Sequence, residues 1–296
     1  MRVAVIDAGT NSTRLLIAEI NSRKEIKPLH TDLVTTRLGA GIETARLMPA
    51  AIRSTVSVIE DYLKRFHDWQ VKKVVIAATS AVRNAANRED FLSAVFERTG
   101  FKVRVLPGAE EALLSYQGAL SGLPAGIDTQ DAVVMDLGGG STEFTWKASG
   151  RLYCRSEEIG AVRATEGNFT DEEILIPLVS TLEEIRKISP VNLIGVGGTV
   201  TTIAAISLSL RVYNPSLAHG FDLSAGQVEK TLSLLSSLPL EKRRCLPGLQ
   251  PERADIIIAG VRIVRQILGY LDLPRLKVSE ADLMYGLAIR EANSEL

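Results

Sequence analysis

Apolar residues recur along this chain with two periods, and the switches between them mark its elements. "RVAVIDAG" (2–9) and "KKVVIAAT" (72–79) are apolar almost throughout, which predicts strands buried on both faces. "RLLIAEI" (14–20), "IKPLHTDLVTTRLG" (26–39) and "FKVRVLPG" (101–108) read as further strands. Residues 49–67 carry apolar side chains at helical spacing, with Pro49 acceptable at the helix start. Ser80 is a candidate cap for a helix ending at Gly100, and "AEEALLSYQGALSGL" (109–123) predicts another. Beyond the polar, turn-rich "PAGIDTQD" (124–131) the order recurs. Strands over 132–137, 143–147 and 151–158 precede helices over 160–168 and 170–187, and "NLIGVGGT" (192–199) is a strand leading into a helix. The remainder reads as mainly helical, over 224–237, 251–270 and 281–294, with a short strand "LKVSE" between the last two.

Strands alternating with helices indicate an α/β fold. The two halves open on the same hairpin. "IDAGTNSTRLL" (6–16) and "MDLGGGSTEFT" (135–145) share the frame Asp-x-Gly-x-x-Ser-Thr, with Arg14 after the first copy and Glu143 after the second. At 296 residues the chain is also longer than one core usually grows. The expectation is an internal duplication: one lobe over 1–123, a second over 124–296 with its last helix free to return to the first, and a cleft between them.

Composition narrows the function. The apolar fraction is 46% and the charged fraction 23%, ordinary for a globular protein. Thirty-four basic and 35 acidic residues nearly cancel, so no global field points to nucleic acid or an anionic membrane. Cys154 and Cys245 lack metal-ligand spacing and read as reduced thiols of a cytoplasmic protein. Ser189–Leu210 is uncharged and long enough to span a bilayer, but its Asn, Gly-Gly, Thr and Ser residues fit a strand, a turn and a helix start better.

The candidate chemistry lies in the turns. Consecutive glycines let backbone N–H groups converge on an anion, so Gly138, Gly139 and Gly140 suit phosphate, with Ser141 and Thr142 adding hydroxyls. Asn11, Ser12 and Thr13 do the same in the first copy. Gly197, Gly198 and Thr199 run from a strand into a helix whose first N–H groups are free for an anion. Thr79 and Ser80 make a weaker version of that start, and Arg83, one turn inside, is a planar fork that can clamp a phosphoryl group. Asp136 and Glu143 flank the glycine turn on opposite strands, a candidate site for Mg²⁺, which needs only one or two carboxylates; Asp7 is the matching carboxylate in the first copy. Glu110 and Glu111 open a helix, where the dipole alone favours acids.

Taken together, "VIDAGTNSTRLLIAEI", "TRLGAGI", "ATSAVRNA", "LPGAEEALLSYQGA", "VMDLGGGSTEF", "GVGGTVTTIAAI", "HGFDLS", "RADIIIAGVRIV" and "VSEADLMYGLA" resemble the exopolyphosphatase / guanosine pentaphosphate phosphohydrolase (Ppx/GppA) family, collinearly from residue 3 to about 290. The resemblance implies two ribonuclease-H-like lobes of the actin-like ATPase superfamily. It implies a catalytic base at Glu111, a divalent metal at Asp136 and Glu143, and phosphate contacts from Asp7, Asn11, Ser12, Arg83 and the loop Gly197, Gly198 and Thr199. It also implies a homodimer. Many members carry a further C-terminal helical region, so this chain is similar to the short, two-domain form. In "VSEADLMYGLA", Ala281 or Asp282 stands where the family often has Gly.

The expected reaction is metal-dependent hydrolysis of the terminal phosphoanhydride of inorganic polyphosphate. Guanosine pentaphosphate presents the same anhydride. A long polyanion needs a basic track, for which "EKRRCLPGLQPER" (241–253) is the candidate, with Arg37 a further contact. Kinases and chaperones share the fold, and an alarmone-binding sensor without catalysis is a reading of another class; a base at Glu111 argues against all three. His30, His67 and His219 read as structural.

Overall fold

Strand β1 (Arg2–Ala8) is buried along both faces, and the rest of the first sheet is laid out around it. β2 (Thr13–Ile20) and β3 (Ile26–Val34) follow antiparallel on one side. On the other side β4 (Lys73–Ala78) and β5 (Val103–Val105) are parallel, giving the order β3-β2-β1-β4-β5. The connections hold α1 (Pro49–Lys64), α2 (Ser80–Arg83) and α3 (Arg88–Thr99), and α4 (Gly108–Gly122) follows β5. The computed structural model describes residues 1–21, 23, 25–123, 132–190 and 192–293, so the expected divide at 124–131 lies outside the described residues.

The second sheet repeats the first. β6 (Ala132–Leu137), β7 (Thr142–Ala148) and β8 (Arg151–Glu157) form the antiparallel side. After α5 (Ala161–Glu166), α6 (Asp171–Leu175) and α7 (Val179–Arg186), β9 (Asn192–Val196) joins β6 in parallel. Then come α8 (Gly198–Ser207), α9 (Pro215–Ala218), β10 (Asp222–Ser224), α10 (Ala225–Ser237), α11 (Leu240–Arg243), α12 (Ile257–Leu271), β11 (Arg275–Val278) and α13 (Leu283–Asn293). The sheet order, β8-β7-β6-β9-β11-β10, is that of the first sheet with β10 added at the far edge. Each sheet by itself is therefore a mixed α/β lobe of the ribonuclease-H-like kind, and the duplication read from the hairpins extends to the topology.

Contacts divide the chain into Met1–Ser121 with the chain from Leu283 onward, and Gly122–Asp282. In the first unit the alternation along β1 sorts two cores. Ala4, Ile6 and Ala8 pack with Ile52, Val56, Ile59, Tyr62 and Phe91 of α1 and α3. Val3 and Val5 pack with Leu114 of α4 and Leu283, Met284 and Leu287 of α13. β3 is an edge strand, which is why Pro28 is tolerated in it, beside a register shift opposite Ile17 and Ala18. The second unit has one large core, in which Val133, Met135, Leu137, Phe144 and Trp146 meet Val261, Val264 and Leu268 of α12.

Several elements are shorter than their sequence patterns predict. The helix expected from Ser80 to Gly100 is α2 and α3, broken at 84–87. There Asn87 spends its side chain on the Leu47 backbone, accepting from its N–H at 2.8 Å and donating to its carbonyl at 3.1 Å. An Asn that finds such partners competes with the helix. The helix expected over 251–270 begins only at Ile257, after a single 3₁₀ turn at Pro251–Arg253. The short elements β10, α9 and α11 carry too few residues to show a period.

Gly286 sets how closely α13 lies on α4: a Cβ there would stand 2.0 Å from the Leu114 carbonyl oxygen. Gly286→Ala is expected to cost about 1–3 kcal/mol, the usual range for overpacking. Urea denaturation followed by far-UV circular dichroism measures it; an unchanged midpoint would mean that α13 is not held at this distance.

Candidate functional site

The two hairpin turns are built alike. Gly9 N–H donates to the Ser12 carbonyl at 3.0 Å, and Gly138 N–H to the Ser141 carbonyl at 3.0 Å. Each turn is held from behind. In the first, the Thr10 carbonyl accepts from Gly39 N–H and the Asn11 carbonyl from Arg37 N–H, both at 2.8 Å. In the second, the start of α5 does this work. The Gly138 carbonyl accepts from Ala161 N–H at 3.0 Å, the Gly139 carbonyl from Val162 and Arg163 N–H at 2.8 and 3.1 Å, and the Gly140 carbonyl from Arg163 Nε at 2.9 Å. In a trans peptide the N–H of the next residue points opposite to the carbonyl. The N–H groups of Asn11 and Ser12, and of Gly139, Gly140 and Ser141, therefore face away from the backing segments, as a phosphate cradle requires.

Glycines make the backing possible. A Cβ on Gly160 would lie 2.5 Å from the Gly139 carbonyl carbon, and one on Gly39 would lie 2.3 Å from Thr10 Cγ2. Hydroxyls at matching positions pin both hairpins: Thr13 to Thr36 at 2.9 Å, and Thr142 to the Ile159 carbonyl at 2.6 Å. The buried Tyr62 hydroxyl donates to the Thr13 carbonyl at 3.3 Å. Burial, with the Asp32 charge, pushes that hydroxyl above its ordinary range, so it stays a neutral donor. Asn11 is 8% exposed, and its Nδ2 is a buried donor with no hydrogen-bond partner among the described residues. An unmet donor in this turn is consistent with a ligand group that completes it.

Asp7 faces Arg14 across β1 and β2, and Asp136 faces Glu143 across β6 and β7. Arg14 donates to Asp7 Oδ2 from Nε at 3.0 Å and Nη2 at 2.7 Å. Glu143 is 2% exposed and accepts from the Ser156 hydroxyl at 2.7 Å; Asp136 is 9% exposed. Facing residues on one ladder have Cβ atoms about 4.5–5.5 Å apart, within reach of one cation. Among the described residues no cluster of three or more His, Cys, Asp or Glu side chains could hold a metal. Two carboxylates with water completing the shell fit Mg²⁺, whereas Zn²⁺ would want three or four protein ligands.

At the start of α8, Gly197 has φ 95° and a Cβ there would meet the Leu137 carbonyl at 2.6 Å, so only glycine fits. Gly198 lies under the Arg253 guanidinium, whose Nη1 would be 2.1 Å from an added Cβ. Thr199 turns its side chain onto Gly260 of α12, where an added Cβ would stand 2.6 Å from Thr199 Oγ1. What Thr199 offers at the helix start is its backbone N–H.

The consecutive acids of α4 part company. Glu110 pairs with Arg104 of β5 and Arg290 of α13. Glu111, 6% exposed, accepts from Arg83 Nη1 at 2.5 Å, and the same nitrogen donates to the Leu106 carbonyl at 3.1 Å. Arg83, partly buried, and the buried Glu111 thus form one unit, which sequence spacing alone did not indicate.

The stretch 241–253 is not one exposed basic track. Arg243 donates to the Leu238 and Ala254 carbonyls, Arg244 pairs with Glu241, and Arg253 lies at α8. His30 stacks on Trp69, and His219 bonds the Gly122 carbonyl at 2.6 Å and accepts from Glu280 N–H at 3.1 Å. The His67 side chain lies outside the described residues. Both cysteines are free thiols, and no helix of the described residues is long and apolar enough to cross a membrane. Gly160, Ser156 and the pairing of Arg14 with Asp7 escaped the motif reading, and Arg253 was read only as part of the basic stretch, not as a neighbour of α8. Of these only Gly160, a lone glycine before an apolar helix, carries a local signal.

Comparison with known proteins gives the class of protein to which these turns and this helix start belong. Residues 16–295 match the Ppx/GppA phosphatase family. The chain belongs to that family and is a hydrolase. It is 33% identical to "Exopolyphosphatase 2" of Mycobacterium tuberculosis, over 97% of this chain and 98% of that one. It is 32% identical to the "Bifunctional 3-dehydroquinate synthase/phosphatase" of Fusobacterium nucleatum, over 96% of this chain and 45% of the longer protein. Among solved structures, the Aquifex aeolicus PPX-GPPA enzyme is 32% identical with a TM-score of 0.78, covering 98% of this chain and 99% of that one.

Gly160→Ala tests the backing of the second turn. The added methyl is expected to displace Gly139–Gly140, destabilise the protein by about 1–3 kcal/mol and weaken its thermal stabilisation by orthophosphate. Melting curves with and without phosphate measure both effects; full stabilisation in the variant would show that the turn needs no support from α5.

Proposed function

We propose that this chain is an exopolyphosphatase, which hydrolyses the terminal phosphoanhydride of inorganic polyphosphate and releases orthophosphate. The observation that carries the reading is the partly buried Arg83–Glu111 pair, which fixes a carboxylate beside a guanidinium suited to a phosphoryl group. Glu111 acts as the general base: it orients the attacking water, takes its proton on a carboxylate oxygen and passes it to solvent. Arg83 binds the terminal phosphate while holding Glu111. In the first unit Asn11, Ser12 and the turn containing Asp7 contribute phosphate contacts. In the second, the amides at Gly138, Gly139, Gly140 and Ser141, and the α8 start at Gly197, Gly198 and Thr199, do the same.

Asp136 and Glu143 would hold a divalent cation, Mg²⁺ by donor type, whose chemistry is to screen charge on the phosphoanhydride oxygens. Phosphoryl transfer leaves little covalent work for a protein, so positioning and electrostatics carry most of the gain. The relatives named exopolyphosphatase support polyphosphate; the dispersal of the 241–253 cations argues that long chains are not gripped there. Guanosine pentaphosphate is the alternative substrate. On the family resemblance, the protein works in the cytoplasm as a homodimer.

Phosphate release from long polyphosphate, guanosine pentaphosphate and ATP, each with and without Mg²⁺, tests this. Polyphosphate is expected to be preferred, and Glu111→Gln to lower kcat by about 10²–10⁴-fold with KM little changed, the usual range for losing a general base. Preference for guanosine pentaphosphate would replace the substrate, and unchanged turnover in Glu111→Gln would remove the base.

A further inference from the structure

The two hairpins differ in one respect that bears on how they balance charge. They share the frame Asp-x-Gly-x-x-Ser-Thr, the same closing bond at 3.0 Å, and the same cross-strand position facing the Asp. At that partner position the first carries Arg14 and the second Glu143. Like charges facing each other on an antiparallel ladder repel, and opposite charges attract. The Asp7–Arg14 pair is realised as two hydrogen bonds to one carboxylate oxygen, at 3.0 and 2.7 Å, with Asp7 4% exposed.

A phosphate turn with a bare carboxylate beneath it would repel its own ligand. A guanidinium on that carboxylate removes the repulsion without any metal. We propose that Arg14 is the built-in cation of the first hairpin, so that divalent-cation binding is confined to Asp136 and Glu143 and Asp7 is not a ligand. Arg14 then does permanently for Asp7 what the bound ion does for the second hairpin. A protonated guanidinium cannot be chelated away, so the first hairpin stays charge-balanced at any metal concentration. The inference rests on the assignment of a cation to Asp136 and Glu143 under the proposed function.

The test is Mn²⁺ titration of the full chain by calorimetry, with bound Mn²⁺ counted independently by electron paramagnetic resonance. The expected wild-type stoichiometry is one ion per chain. Asp7→Asn is expected to keep that ion, and Asp136→Asn to lose it. Arg14→Glu, which recreates the second hairpin's pair in the first, is expected to bind a second ion. Each variant is melted first, and the wild-type count needs no variant at all. Two ions on the wild type, or loss of the single ion in Asp7→Asn, would overturn the inference while leaving a metal at Asp136 and Glu143 in place. Absence of any Mn²⁺ on the wild type would instead overturn the metal assignment on which it rests.

Discussion

Backbone carbonyls in the two glycine-containing turns are taken up from behind, and the direction of everything useful in those turns follows from this. A buried carbonyl without a donor is costly, so a tight turn in a protein interior must find partners or go to the surface. Here the partners are the N–H groups of Arg37 and Gly39 in one unit and of Ala161, Val162 and Arg163 in the other. With the carbonyls held on one side, planarity of the peptide turns the adjoining N–H groups to the opposite side. A row of N–H groups turned to one side is thus a by-product of satisfying acceptors, and the absence of a side chain at Gly39 and Gly160 lets the donors come close enough.

That constraint also explains how a duplicated fold can carry different backing. The first turn is held by an irregular loop in which Arg37 has φ 50°, and the second by a helix start. Both supply N–H donors pointing one way, as a helix N-terminus does by construction. What was preserved between the repeats is the direction of the donors and the hydroxyl pins at Thr13 and Thr142. The charge beneath the turn was free to diverge, as Arg14 and Glu143 show.

Periodicity made the strands and longer helices legible, because "RVAVID" and "AVVMDL" have no polar face to confuse the reading. Repetition of the Asp-Gly-Ser-Thr frame made the turns legible, and with them the duplication. What stayed hidden depends on contacts between residues far apart in the chain. Arg253 reaches α8 because Gly198 leaves room for it. Asn87 breaks a helix because Leu47, forty residues earlier, offers it two backbone partners. A cation counted as part of a basic stretch can equally serve two carbonyls, as Arg243 does. Charge in a sequence says nothing about which of these a side chain will choose.

The adjacent glutamates of α4 show the same rule at a single step. Consecutive residues on a helix point about 100° apart, so Glu110 and Glu111 could not share surroundings. Glu110 turns toward Arg104 and Arg290 and ties the helix start to β5 and α13. Glu111 turns toward Arg83, whose Nη1 is also fixed by the Leu106 carbonyl at the end of β5. A guanidinium held by a backbone carbonyl has little freedom left, and the carboxylate bonded to it inherits that restriction. The helix dipole, which favours both acids equally at this position, therefore does not distinguish them. Their partners do: one acid fastens the helix to its neighbours, and the other is held against a guanidinium that a backbone carbonyl also fixes.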